Sequence, residues 1–129
     1  MDVIDLLLNS APPSLPEKGY RLKRLSKEYK QTIVFNLRAL TWTRVADIRK
    51  FGDEDMNVHI VLAGVTSPDL RSEALLNKYG ATTPDDLVKK MLLPGEIDEI
   101  ALMIERLSGY RTPMLEEVKK NSNQASSSA

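Results

Sequence analysis

Apolar and polar positions follow several different periods along this chain, and the changes of period divide it into elements. A first apolar run, residues 3–8, follows Asp2, whose carboxylate suits the free amides and positive end of a helical first turn. A short N-terminal helix is predicted there. It stops at SAPPSLP, residues 10–16, where three prolines lack amide donors and disfavour helix in the residue before each. This segment should be an extended linker, leaving the helix detached and able to dock on its own domain or on a partner.

Residues 20–25 and 32–40 read as strands. In the second, Ile33, Phe35, Leu37 and Ala39 alternate with Thr32, Val34, Asn36 and Arg38. Together they predict a two-stranded hairpin. The connection, SKEYKQ, has no Asn-Gly or Asp-Gly pair, so a longer loop with a basic, exposed tip is expected. Thr41 suits an N-cap, and Trp42, Val45, Ile48 and Phe51 recur every three residues down to Gly52, with Trp42 as a core anchor. In DEDMNVHIVLAGV the acids can open a helix while VHIV would suit a buried strand; we read a helix, closed by Pro68.

The punctuation then becomes sharper. SEALLNKYG reads as a short helix with Gly80 just past its end, where a left-handed backbone costs glycine little. Thr83, Pro84, Asp85 and Asp86 spell the start of another, with Leu87, Val88, Met91 and Leu92 on one stripe. Pro94-Gly95 is expected to stop it and Glu96 to open the next, in which Ile97, Ile100, Ala101, Ile104 and Leu107 keep a helical period until Gly109. Leu92, Leu93 and Ile97 are expected in the core around this corner. Thr112-Pro113 predicts a last helix over MLEEVKK, and the polar tail beyond it is expected to be disordered.

Composition narrows the chemistry. The chain has 129 residues, enough for one domain and a modest core, and no cysteine, which removes disulfides, thiolate metal sites and cysteine nucleophiles. Its start has acids where a secretion signal needs cations, and its apolar runs are too short to span a bilayer, so a protein that stays inside the cell, with no membrane partner, is expected. Charge is zero overall but uneven: from Lys18 to Lys50 ten Lys/Arg face two acids, Glu28 and Asp47. Such a segment can meet phosphates, an acidic protein surface, or the chain's own acidic remainder.

No catalytic motif is present. His59, the one histidine, sits in an apolar run and reads as structural; HExxH, the GxxxxGK loop and GxGxxG are absent, and no cofactor is indicated. Asp53-Glu54-Asp55, Asp85-Asp86 and Glu116-Glu117 fall where helices begin or face water, so capping and solvation explain them. The segment around LPG superficially resembles a helix-turn-helix, but its second helix would present Asp98, Glu99 and Glu105 to phosphates against a single Arg106. If nucleic acid bound, it would bind the basic segment, residues 18–50, where cations are interleaved with Tyr20 and Tyr29. A nucleic-acid-binding adaptor using that segment is therefore the alternative reading.

The order FNLRALT, a short helix ending IRK, a long apolar segment, YG, a helix into MLLPGE, another to a glycine, and EEVKKN resembles the XkdN-like phage tail assembly chaperones, over residues 20–121. LVKKMLLPGE with the helix after it and EEVKK is the sharpest part. The resemblance implies a non-enzymatic protein of the bacterial host cytoplasm that coats the tape measure protein, keeping it soluble until tail tube protein polymerises around it. It also implies contact with the tail tube protein, self-association, and in some members a longer frameshifted form of the same chain. The reading is thus an α+β, mostly helical single domain with an N-terminal two-stranded β-hairpin and a short detached N-terminal helix. Residues 1–16 form the helix and proline-rich linker, 17–121 the chaperone-like domain and 122–129 the tail. Candidate partner-binding residues are Ile4, Leu7 and Leu8 on the helix and Arg21, Lys23 and Arg24 on the basic hairpin; nucleic acid is not expected as a partner.

Overall fold

The computed structural model describes residues 2–119. Within them the order is α1 (Val3–Asn9), β1 (Glu17–Arg21), α2 (Lys23–Tyr29), β2 (Val34–Arg38), α3 (Trp42–Arg49), α4 (Met56–Gly64), β3 (Val65–Ser67), α5 (Glu73–Tyr79), α6 (Pro84–Met91) and α7 (Pro94–Leu107). The class is α+β and mostly helical, as expected. The strands form one antiparallel sheet in the order β1-β2-β3, with β2 in the middle.

β1 and β2 pair as the predicted hairpin does, from Glu17 opposite Arg38 to Arg21 opposite Val34, but two features differ. Their connection is the helix α2, where a loop was expected. Leu22 and Leu25, which looked like strand positions, are three apart, so a helix turns both into the core, where they are buried. Ser26 completes the junction: its Oγ accepts from the Ile33 amide at 2.8 Å. Lys30 closes α2 in a left-handed conformation, φ 54°. The second difference is β3, which adds a third strand along β2 with an irregularity at Asn36/Leu37.

The ambiguous stretch is a helix, α4. Val58, Ile60, Val61 and Leu62 are all buried, and these neighbours in sequence point in different directions around a helix, so α4 is enclosed on several sides. It packs against α3, α6 and α7 and runs into β3 without a loop. The contact with α7 depends on Gly64: a Cβ there would stand 2.5 Å from Ile104 Cδ1, 2.7 Å from Cγ2 and 2.8 Å from Cγ1. Ile104 is wholly buried, and α7 also lies on β2. Phe35, Leu37, Val61, Leu87, Val88 and Ile104 are the most deeply enclosed side chains.

Several caps are where the residues place them. The Thr41 hydroxyl accepts from the Arg44 amide, Thr83 from Asp86 and Ser72 from Leu75, while Gly80 ends α5 at φ 65°. Trp42, however, is no core anchor: it is 83% exposed. A three-residue spacing drifts by roughly 60° per step around a 3.6-residue helix, so Trp42 stands about 120° from the buried Ile48. Phe51 is also largely exposed, although its ring stacks on His59 with centroids 3.8 Å apart.

The corner after α6 also differs from expectation. α6 ends at Met91, Leu92 and Leu93 are extended, and Pro94 and Gly95 form the first turn of α7. Proline at the first helical position forfeits no hydrogen bond, because that amide has no partner inside the helix, and it holds Leu93 extended. Leu92 and Ile97 are in the core as predicted, whereas Leu93 is half exposed. No helix forms over residues 114–119: Met114, Leu115 and Val118 are exposed, and a short helix with no surface to bury against is unstable. The expected tail lies outside the described residues.

Candidate partner-binding surfaces

α1 carries Val3, Ile4, Leu6, Leu7 and Leu8, which at 100° per residue cover an arc of roughly 200°, with Asp5 and Asn9 on the other side. None of its residues is buried. Ile4, Leu7 and Leu8, the predicted contact residues, are 55%, 71% and 75% exposed. Isolated helices of this length do not persist in water, and complete burial is worth about 1.5–3 kcal/mol for each such side chain. α1 therefore has much to gain from a surface it lacks in the isolated chain.

The basic candidates sit together around a groove between β1, the start of α2 and α7, with a volume of about 380 Å³. Tyr20, Leu22, Leu37, Ile100 and Met103 give it apolar walls, and its charged lining is mixed: Arg21, Lys23 and Arg24 with Glu96 and Glu99. Neither Arg21 nor Lys23 joins an ion pair among the described residues.

Arg24 is engaged within the chain. Its Nη2 lies 2.8 Å from Glu96 Oε1 and donates to the Met91 carbonyl at 3.0 Å, while Nε donates to both Glu96 oxygens at 3.2 Å. Glu96 in turn accepts from the Leu93 amide at 2.7 Å, the return half of a capping box whose other half leucine cannot make. Arg24 thereby ties α2 to the end of α6 and the start of α7. Burial pushes the Glu96 pKa upward, but the hydrogen bonds from Arg24 and from the Leu93 amide, with the Arg24 charge, outweigh it. The carboxyl titrates below its ordinary 4.5. Nothing local in the sequence announces this pair, whose members are 72 positions apart.

A second cleft, of about 300 Å³, opens where α3, α4 and the end of α7 meet. Leu40, Val45, Ile48, Met56 and Ile60 line it, together with the charged Arg49, Glu105 and Arg111. The residue pattern put Val45 and Ile48 on one helical face; the gap between helices is visible only in three dimensions.

The acidic groups have structural uses. Asp55 pairs with Lys89 at 3.1 Å, Asp86 with Lys90 at 3.2 Å, and Asp98 accepts from Asn57 at 2.9 Å. His59 Nε2 is 3.6 Å from Asp85, with the imidazole stacked on Phe51. No group of three or more His, Asp or Glu is placed to hold a metal among the described residues, and no described helix is long and apolar enough to cross a membrane.

The conspicuous features of this small helical α+β domain are a free apolar arm and two apolar clefts with charge of both signs in their linings, features suited to contact with other proteins. Residues 48–121 match the family described as the phage XkdN-like tail assembly chaperone protein, and the chain belongs to that family, which is non-enzymatic. The matched residues include IRK, LVKKMLLPGE and EEVKK; FNLRALT and the six candidate contact residues lie upstream. The fold is similar to that in the crystal structure of the protein yqbn, with a TM-score of 0.68 at 15% identity over 85% of this chain and 98% of the other. No curated protein matches this sequence.

Proposed function

We propose that this tail assembly chaperone is a holdase for the tape measure protein, acting in the bacterial host cytoplasm before tail tube protein assembles around the same client. The observation that carries the reading is the groove beside β1, which combines apolar walls with two cations free of ion pairs, Arg21 and Lys23, beside Glu99 and the Arg24–Glu96 pair. An amphipathic helix of the client would lay its apolar positions in such a groove and its acids against the cations. Ile4, Leu7 and Leu8 of α1 supply a second set of contacts, to tail proteins or to neighbouring copies, including any longer frameshifted form. Arg24 supports this surface by holding α2 in place.

Co-expression with the tape measure protein from the same genome, followed by pull-down, tests the reading. Deleting residues 1–15 together with Arg21→Glu and Lys23→Glu should abolish co-purification. The deletion stops short of Pro16 because its carbonyl accepts from the Ala39 amide at 2.9 Å, and Arg24 is left intact because it stabilises the fold. Undiminished recovery of a folded variant with its client would sink the proposal. The nucleic-acid reading is disfavoured at the groove beside β1, where Glu96 and Glu99 stand among the cations, and no salt-dependent DNA binding is expected.

A further inference from the structure

Two features are complementary. α1 is an apolar helix flanked by carboxylates, Asp2 and Asp5, and has no cation between residues 2 and 9. The cleft between α3, α4 and the end of α7 is an apolar recess whose lining carries Arg49, Arg111 and the carboxylate of Glu105, two cations against one anion. Arg49 forms no ion pair among the described residues, and Arg111 reaches Glu105 only at 3.8 Å.

The linker decides whose cleft α1 can reach. Its last residue, Pro16, accepts from the Ala39 amide, and the next residue, Leu40, already lines the cleft. The root of the arm therefore stands at the edge of its own cleft. Residues 10–16, with prolines at 12, 13 and 16, favour an extended, stiff path of about 20 Å at roughly 3.1 Å per residue. To fill the adjacent recess, α1 would have to double back over that length against the conformational preference of each residue that precedes a proline. An arm of this kind projects away from its own body.

We propose that α1 of one copy seats in the α3–α4–α7 cleft of a second copy, with Leu7, at the centre of its apolar arc, toward Met56. Two chains exchanging arms reciprocally satisfy both clefts and close as a two-fold dimer. This deepens the reading above by assigning α1 to a neighbouring copy and leaving the groove beside β1 to the client. Its test needs no client, so the two can fail separately.

The chain has no cysteine, so introduced pairs report cleanly. Leu7→Cys in one chain and Met56→Cys in another carrying a different tag, mixed under mild oxidation, should give a disulfide-linked dimer of the two tags. A double variant that closes only on itself at all concentrations would show fold-back and overturn the proposal. By analytical ultracentrifugation, the full chain should be dimeric at tens of micromolar. Leu7→Glu should weaken that dimer by at least about tenfold, with an unchanged circular dichroism spectrum outside the small contribution of α1. Arg49→Glu should weaken it several-fold, because residues 2–9 carry two carboxylates and no cation. A wild type that stays monomeric, or a dimer indifferent to Leu7→Glu, would also overturn it.

Discussion

Replacing Gly64 by alanine sets two effects against each other. In an ordinary helix interior the change stabilises by about 0.8–1.0 kcal/mol, because glycine leaves more backbone freedom to be lost on folding. At the last position of α4 the gain is smaller. Opposing it, the new methyl would stand 2.5–2.8 Å from three side-chain carbons of Ile104, where ordinary contact begins at 3.4 Å. The α4–α7 approach must open by roughly 0.6–0.9 Å. Ile104 is completely buried and β-branched, so it cannot swing aside, and overpacking of this kind costs about 1–3 kcal/mol. We expect Gly64→Ala to destabilise the domain by about 1–2 kcal/mol, read as a lower urea midpoint at unchanged slope. Ile104→Ala alone should cost about 2–5 kcal/mol through the cavity it leaves. Together the two should cost at least about 1 kcal/mol less than their sum, since the added methyl enters the vacated space. A Gly64→Ala variant as stable as wild type, or strict additivity in the pair, refutes the close-approach argument.

Glu96→Gln should cost about 1–2 kcal/mol at pH 7, discounted because Arg24 is 39% exposed. The folded-state pKa of Glu96 is depressed, so its stabilising contribution is complete above the ordinary value of 4.5 and fades as pH falls through the folded value. The gap between wild type and variant should therefore shrink when urea midpoints are compared at pH 7 and pH 3; a gap independent of pH contradicts the ion pair. Trp42→Ala should change thermal stability by no more than about 0.5 kcal/mol, whereas Phe35→Ala, at a 2% exposed core position, should cost about 3–5 kcal/mol. A large loss from the tryptophan variant would return Trp42 to the core.

The parts of this fold that could be read from residue order are those governed by local chemistry. Thr41 and Thr83 cap the helices they precede, Gly80 and Gly109 end the ones they follow at φ 65° and 95°, and the α7 stripe is buried as its period requires. What failed were choices that only tertiary contacts decide. Leu22 and Leu25, three apart, share a face only on a helix, but two positions alone do not establish a period; three residues are too few for β3 to leave a pattern, and Trp42 lost its predicted place to the drift of its spacing. Around the candidate surfaces the same division holds. The free apolar arm was legible, because prolines isolate it, while the separation of Arg24 from Arg21 and Lys23 required knowing that Glu96 lies across from it.

The sheet has two outer strands, and neither invites another chain to add itself. β1 carries Glu17, Lys18 and Arg21 in its five residues, and β3 lasts three residues before Pro68, which has no amide to offer. An assembly chaperone that meets incompletely folded partners is exposed to the backbone pairing that seeds fibrils. Charge and brevity at both margins oppose that route, so any client the chaperone takes up on the reading proposed above would be held through its side chains and not annealed into a shared sheet.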